Sequence, residues 1–128
     1  MSLQNKRYRA ASVNESVRSV IALQIRQLRT MRNMNQKELA EKAATSQSAV
    51  ARLEDPDYGR VSLTTLLKLA AAFDVALVVK FTTFDKYIDE YADLSPSALS
   101  VSSYEEEKQE SRVTGPKTEP GIARAPGS

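Results

Sequence analysis

Apolar residues recur along this chain at the spacing of one helix face, and small polar residues cut the pattern into short pieces. Ser12-Val13-Asn14-Glu15 has the Ser-x-x-Glu form of a capping box, and Val17, Ile21, Ile25 and Leu28 then follow at spacings of four, four and three. This predicts a helix over 13–33. Its remaining positions are rich in Arg and Gln (Arg18, Gln24, Arg26, Gln27, Arg29, Arg32), so one stripe is apolar and the other basic. Asn35 caps a second, short helix over 36–43 that turns Leu39, Ala40 and Ala43 to one side. Ala44-Thr45 is a minimal break, after which Ser46 caps a third helix over 47–54 with Val50 and Leu53 inward. Asp55-Pro56-Asp57-Tyr58-Gly59 is dense in turn residues and ends it. Ser62 caps a fourth helix that buries Leu63, Leu66, Leu67, Ala70 and Phe73, with Asp74 near its end.

The period then changes. Residues 75–82, Val-Ala-Leu-Val-Val-Lys-Phe-Thr, are β-branched and aromatic, which predicts the one strong strand of the chain. A lone strand has open hydrogen-bonding edges, and its cheapest partner is its own copy in a second subunit. Val75, Leu77, Val79 and Phe81 are the expected dimer face. Phe84, Tyr87, Ile88 and Tyr91 follow on one face of a short helix beginning near Thr83 and read as dimer or domain core. Hydrophobic density falls after Ser95, an acidic run covers Glu105, Glu106 and Glu107, and six of the nine Gly and Pro residues lie between 115 and 127. Such a stretch cannot repay its ordering entropy, so 103–128 is expected to be a disordered tail.

Composition removes most catalytic chemistry. The 128 residues include no Cys and no His, which excludes zinc fingers, cysteine nucleophiles, disulfide scaffolds and Ser-His-Asp hydrolysis. There is no Gly-rich phosphate loop. The expectation is a protein that is not an enzyme and has no cofactor and no metal. No apolar run is long enough for a membrane span or a signal peptide, which predicts a cytoplasmic protein without membrane contact. The net charge of +2 hides a polarity: residues 1–60 hold 11 Lys+Arg against 6 Asp+Glu, residues 61–100 hold 3 against 5, and 101–128 hold 4 against 5. The basic half is the half with the short capped helices, the arrangement expected if that half faces a polyanion.

Two short helices joined by a three- to four-residue turn, the second capped by Ser and presenting slim polar side chains outward, form the pattern of a helix-turn-helix. The second helix must enter a major groove about 12 Å wide, so its first turn needs small hydrogen-bonding residues while Leu39, Ala40, Val50 and Leu53 lock it in place. Residues 35–43 (Asn-Gln-Lys-Glu-Leu-Ala-Glu-Lys-Ala), 45–54 (Thr-Ser-Gln-Ser-Ala-Val-Ala-Arg-Leu-Glu) and 62–70 (Ser-Leu-Thr-Thr-Leu-Leu-Lys-Leu-Ala) resemble the Cro/C1-type (XRE) helix-turn-helix of lambdoid phage repressors. The resemblance covers about 17–75. One departure is Ala44, where the family usually has Gly; a left-handed Ala there costs roughly 1 kcal/mol.

The resemblance implies a mainly α fold, a lambda-repressor-like domain followed by one C-terminal strand that pairs across a homodimer. It divides the chain into an N-terminal arm (1–12), the DNA-binding domain (13–74), a strand and short helix for dimerisation (75–102) and the tail (103–128). It places base-reading roles on Gln47, Ser48 and Arg52, with Ala49 available for a thymine methyl; Gln and Arg read adenine and guanine edges bidentately. Arg52, one turn deeper, has the alternatives of a nearby carboxylate or a phosphate. Phosphate contacts fall on Gln36, Lys37, Ser46 and Arg60, the last with the alternative of a solvated loop cation. Arg29 and Glu54 form a structural ion pair in the family. The implied function is sequence-specific binding of double-stranded DNA by a homodimeric regulator, most simply a repressor. Some proteins of this kind are antitoxins, which gives the alternative that residues 84–110 bind a toxin protein and DNA binding serves autoregulation.

Overall fold

The computed structural model of the chain describes residues 5–114. Its first helix, α1, spans Lys6–Met31 and at 26 residues is about 39 Å long. Asn5 caps it by accepting from the Tyr8 amide at 3.1 Å. The helix therefore begins seven residues ahead of the expected start at 13, and 6–12 are its first turns rather than an arm. The Ser12-x-x-Glu15 box lies unused inside it. Distant contacts support the extra length: Tyr87 donates to the Ser16 hydroxyl at 2.7 Å, and the Arg9 guanidinium sits 5.6 Å from the Phe84 ring centre.

Three short helices pack on the C-terminal half of α1. They are α2 (Gln36–Lys42), α3 (Gln47–Leu53) and α4 (Leu63–Phe73). Each has the cap that its local sequence predicts. Asn35 and Glu38 form a reciprocal capping box, the Ser46 hydroxyl accepts from the Ala49 amide at 3.1 Å, and the Ser62 hydroxyl accepts from the Thr65 amide at 3.2 Å. The core joins Ile25 and Leu28 of α1 to Leu39, Val50, Leu53, Leu69 and Phe73, with Leu39 and Val50 wholly inaccessible to water. Leu63 and Leu67, expected inside, are instead exposed, because α4 turns Leu69, Ala70 and Phe73 to the core. The α2–α3 turn passes through Ala44 at φ 53, the left-handed conformation foreseen for that position.

Beyond α4 the expected strand is absent. Residues 75–83 run extended, but there is no strand among the described residues, since a ladder needs a second chain segment and none lies beside this one. Helix α5 (Phe84–Tyr91) follows, capped by Thr83. The chain then returns to α1 through the short α6 (Pro96–Leu99), where Leu99 is buried, Gln24 donates to its carbonyl at 3.2 Å, and Arg32 donates to the Val101 carbonyl at 3.1 Å.

The tail expectation is corrected for its first part, because Tyr104–Thr114 form α7. Its amino end is held by α4: the Tyr104 amide donates to the Asp74 carbonyl at 2.9 Å and the Glu105 amide to its carboxylate at 3.4 Å. Ser103 and Glu106 cap each other's backbone, and the acidic run faces the positive end of the helix dipole. Residues 115–128 of the expected tail lie outside the described residues.

Candidate nucleic-acid interface

Helix α3 has one core-facing side and one open side. With 100° per residue, Gln47, Ser48, Ala51 and Arg52 fall within one arc of about 140°, and all four are exposed. Val50 and Leu53 occupy the opposite side and are buried. Ala49 lies toward that buried side and is half-buried, whereas Ala51, not singled out from the sequence, sits in the middle of the open arc. Helical phase, applied position by position, is the signal that distinguishes the two alanines.

The open side of α3 is held in place from beneath. Arg29 of α1 grips Glu54, the C-cap of α3, through two parallel bonds: Nε to Oε2 at 2.6 Å and an Nη to Oε1 at 2.9 Å. A third donor of the same guanidinium reaches the Met34 carbonyl at 2.9 Å, so one side chain joins α1, the α1–α2 turn and the end of α3. The two side chains are only 13% and 5% exposed, which gives the pair a low-dielectric setting. The bonded carboxylate raises the guanidinium pKa further above its ordinary value. Gln36, the first residue of α2, adds a 3.4 Å bond to the same carboxylate. A residue expected at phosphate is thus anchored to the ion pair through one N–H of its amide, which leaves the second N–H of the same nitrogen to donate.

The remaining candidate residues spread around this anchor. Lys37 and Ser46 are exposed at the starts of α2 and α3, and the Ser46 and Ser48 hydroxyls lie 3.2 Å apart. Arg52 stacks on the Tyr58 ring, 5.9 Å from its centre, so the loop after α3 orients it. Arg60 is exposed beyond Gly59, which has φ 71 and lies against Arg18 of α1: a Cβ there would stand 3.2 Å from the Arg18 guanidinium. Of the expected dimer face, Val79 and Phe81 are exposed, while Val75 and Leu77 are half-buried, Val75 against the core of its own chain.

Residues 25–79 match the Helix-turn-helix family HTH_3. That segment is a helix-turn-helix of the Cro/C1 (XRE) type, and the chain is a DNA-binding transcription regulator. No curated protein and no solved structure gives a significant match. No helix among the described residues is long and apolar enough to cross a membrane.

Proposed function

We propose that the protein is a homodimeric repressor that reads an operator through α3. The observation that carries this reading is the open arc of α3, where slim polar groups at Gln47 and Ser48 precede the longer Arg52 on a helix anchored from below by Arg29 and Glu54. In a major groove, Gln47 pairs with an adenine edge, Arg52 with a guanine edge or a phosphate, and Ala51 or Ala49 meets a thymine methyl. Gln36, Lys37, Ser46 and Arg60 bind phosphates at the rim and set the register, without carrying sequence information. Two copies of α3 in a dimer address half-sites about 34 Å apart in an inverted repeat.

The double substitution Gln47→Ala/Ser48→Ala tests the assignment. It should cost about 1–3 kcal/mol for each base-edge bond it removes and relax base preference, whereas Gln36→Ala should weaken all sequences similarly. Operator affinity unchanged in the double variant contradicts the role given to α3. A second reading, an antitoxin holding a toxin protein through 84–110, draws support from Phe84, Ile88 and Tyr91, which remain more than a third exposed on α5. Co-expression with the neighbouring gene product, followed by purification of the pair or of the regulator alone, separates the two readings.

A further inference from the structure

We infer that Arg18 is a further DNA-binding residue: it pairs with a backbone phosphate at or beside the one given to Arg60, and carries the interface from the recognition helix onto the amino-terminal half of α1. The inference rests on the reading of α3 above and lengthens its footprint, since Arg18 lies ahead of the matched segment 25–79. Helical phase brings the residue to the recognition unit. Arg18 stands about three turns, or roughly 17 Å, ahead of Arg29 on α1, and at 100° per residue the two leave the helix within about 20° of the same direction. Ala22 and Ile25 lie between them on that stripe and are buried. The stripe that carries Arg29 to the end of α3 therefore carries Arg18 to the loop that leaves α3. They meet at Gly59, where φ is 71 and the missing side chain admits the guanidinium: a Cβ there would stand 3.2 Å from Nη1 and 3.6 Å from Cδ of Arg18. Local bonds fix the loop, because the Asp55 carboxylate accepts from the Asp57 amide at 2.9 Å and the Asp55 carbonyl from the Tyr58 amide at 3.1 Å. The next residue, Arg60, is exposed. A loop that follows directly on a helix lying in the major groove borders the groove wall, where the phosphates run.

Within its own chain Arg18 has no partner. Its side chain makes neither an ion pair nor a hydrogen bond with another described residue, the loop carboxylates of Asp55 and Asp57 included, and its Nε–H is buried without an acceptor. Among the described residues it is the one buried side-chain nitrogen or oxygen left in that condition. Other arginines of α1 are committed: Arg29 to Glu54 and the Met34 carbonyl, Arg32 to the Leu28 and Val101 carbonyls. A buried donor without an acceptor costs free energy in the unbound protein. Turning the guanidinium outward past Gly59 removes that cost, and a phosphate then accepts from its planar fork of N–H groups. No bond within the protein has to break first.

The test uses the full chain and the duplex that it enriches from random DNA, synthesised as a set in which each backbone phosphate in turn is replaced by an uncharged methylphosphonate. Arg18→Met keeps an aliphatic stem against the loop and removes the charge. Its slope of log affinity against log salt should be shallower than that of the native chain by about 0.9 for each bound protomer, so the native advantage shrinks about threefold per protomer between about 50 and 200 mM salt. Arg18→Lys, which keeps the point charge, should recover the slope. Neutralising one phosphate in each half-site, at or next to the phosphate that responds to Arg60→Ala, should weaken binding by the native chain and leave Arg18→Met indifferent. Base preference should be native in both Arg18 variants. An unchanged salt slope in Arg18→Met, or a phosphate scan with the same response in the native chain and the variant, overturns the proposal; a side chain that only packs against the loop gives those two results together with a lowered urea midpoint. Failure of the α3 reading looks different: Gln47→Ala/Ser48→Ala keeps the native base preference while Arg18→Met still flattens the salt slope.

Discussion

Replacing Glu54 by Ala is the most informative single perturbation of the recognition unit. The carboxylate accepts two bonds from Arg29 and one from Gln36, and it is itself 5% exposed. Removing it leaves the Arg29 guanidinium, 13% exposed, with two donors and a full charge that the surrounding core residues cannot satisfy. Deleting one partner of a buried pair costs about 3–5 kcal/mol, and the bond that Arg29 retains to the Met34 carbonyl argues for the lower end. Urea unfolding followed by circular dichroism measures it. The double substitution Arg29→Met/Glu54→Leu supplies the control, because it removes the charge and its counter-charge together. It should be less destabilising than Glu54→Ala alone, and with the single variants Arg29→Met and Glu54→Leu it closes a cycle whose favourable coupling is at least about 1 kcal/mol. A destabilisation below about 1 kcal/mol for Glu54→Ala, or a double variant that merely adds the two single effects, would refute the claim that this pair anchors α3.

Other expectations follow from particular positions. Ala44→Gly relieves a left-handed alanine at φ 53 and should stabilise the fold by about 1 kcal/mol in the same assay, with DNA affinity unchanged. Leu99→Ala empties a buried site under α6 and should cost about 2–3 kcal/mol; in hydrogen exchange it should free residues 95–107 first and leave the α2–α3 core protected. Lys37→Ala and Arg60→Ala should each reduce the slope of log affinity against log salt by about 0.9, as expected when one fewer phosphate is neutralised, without altering base preference.

Much of the recognition unit was legible from local chemistry. Asn35, Ser46 and Ser62 all cap the helices expected of them, and Thr83 caps the helix expected to begin near it, because a cap is settled between residues three apart. The apolar spacing located Leu39, Val50, Leu53 and Phe73 in the core for the same reason. What local pattern misjudged depends on distant parts of the chain. The start of α1 is supported by Tyr87, 71 residues away, and the return of α6 rests on Gln24 bonding to Leu99 across 75 residues. The acidic run 105–107 reads as an unfolded tail, yet at the start of a helix held by Asp74 its charges are favourably placed. The expected strand is a matter of partnership: β-branched residues make 75–82 extended, but a ladder exists only where a second edge is supplied. On α3, the choice between Ala49 and Ala51 turned on a helical phase that depends on which side the core lies.

Selection of bound duplexes from random DNA, carried out in parallel with the native chain and with Gln47→Ala/Ser48→Ala, decides whether the open side of α3 reads the operator. The native chain should enrich an inverted repeat with half-sites about 34 Å apart, and the double variant should lose preference at the same positions in both halves. A native chain that enriches no sequence, or a variant that enriches the same repeat with equal strength, would contradict that reading.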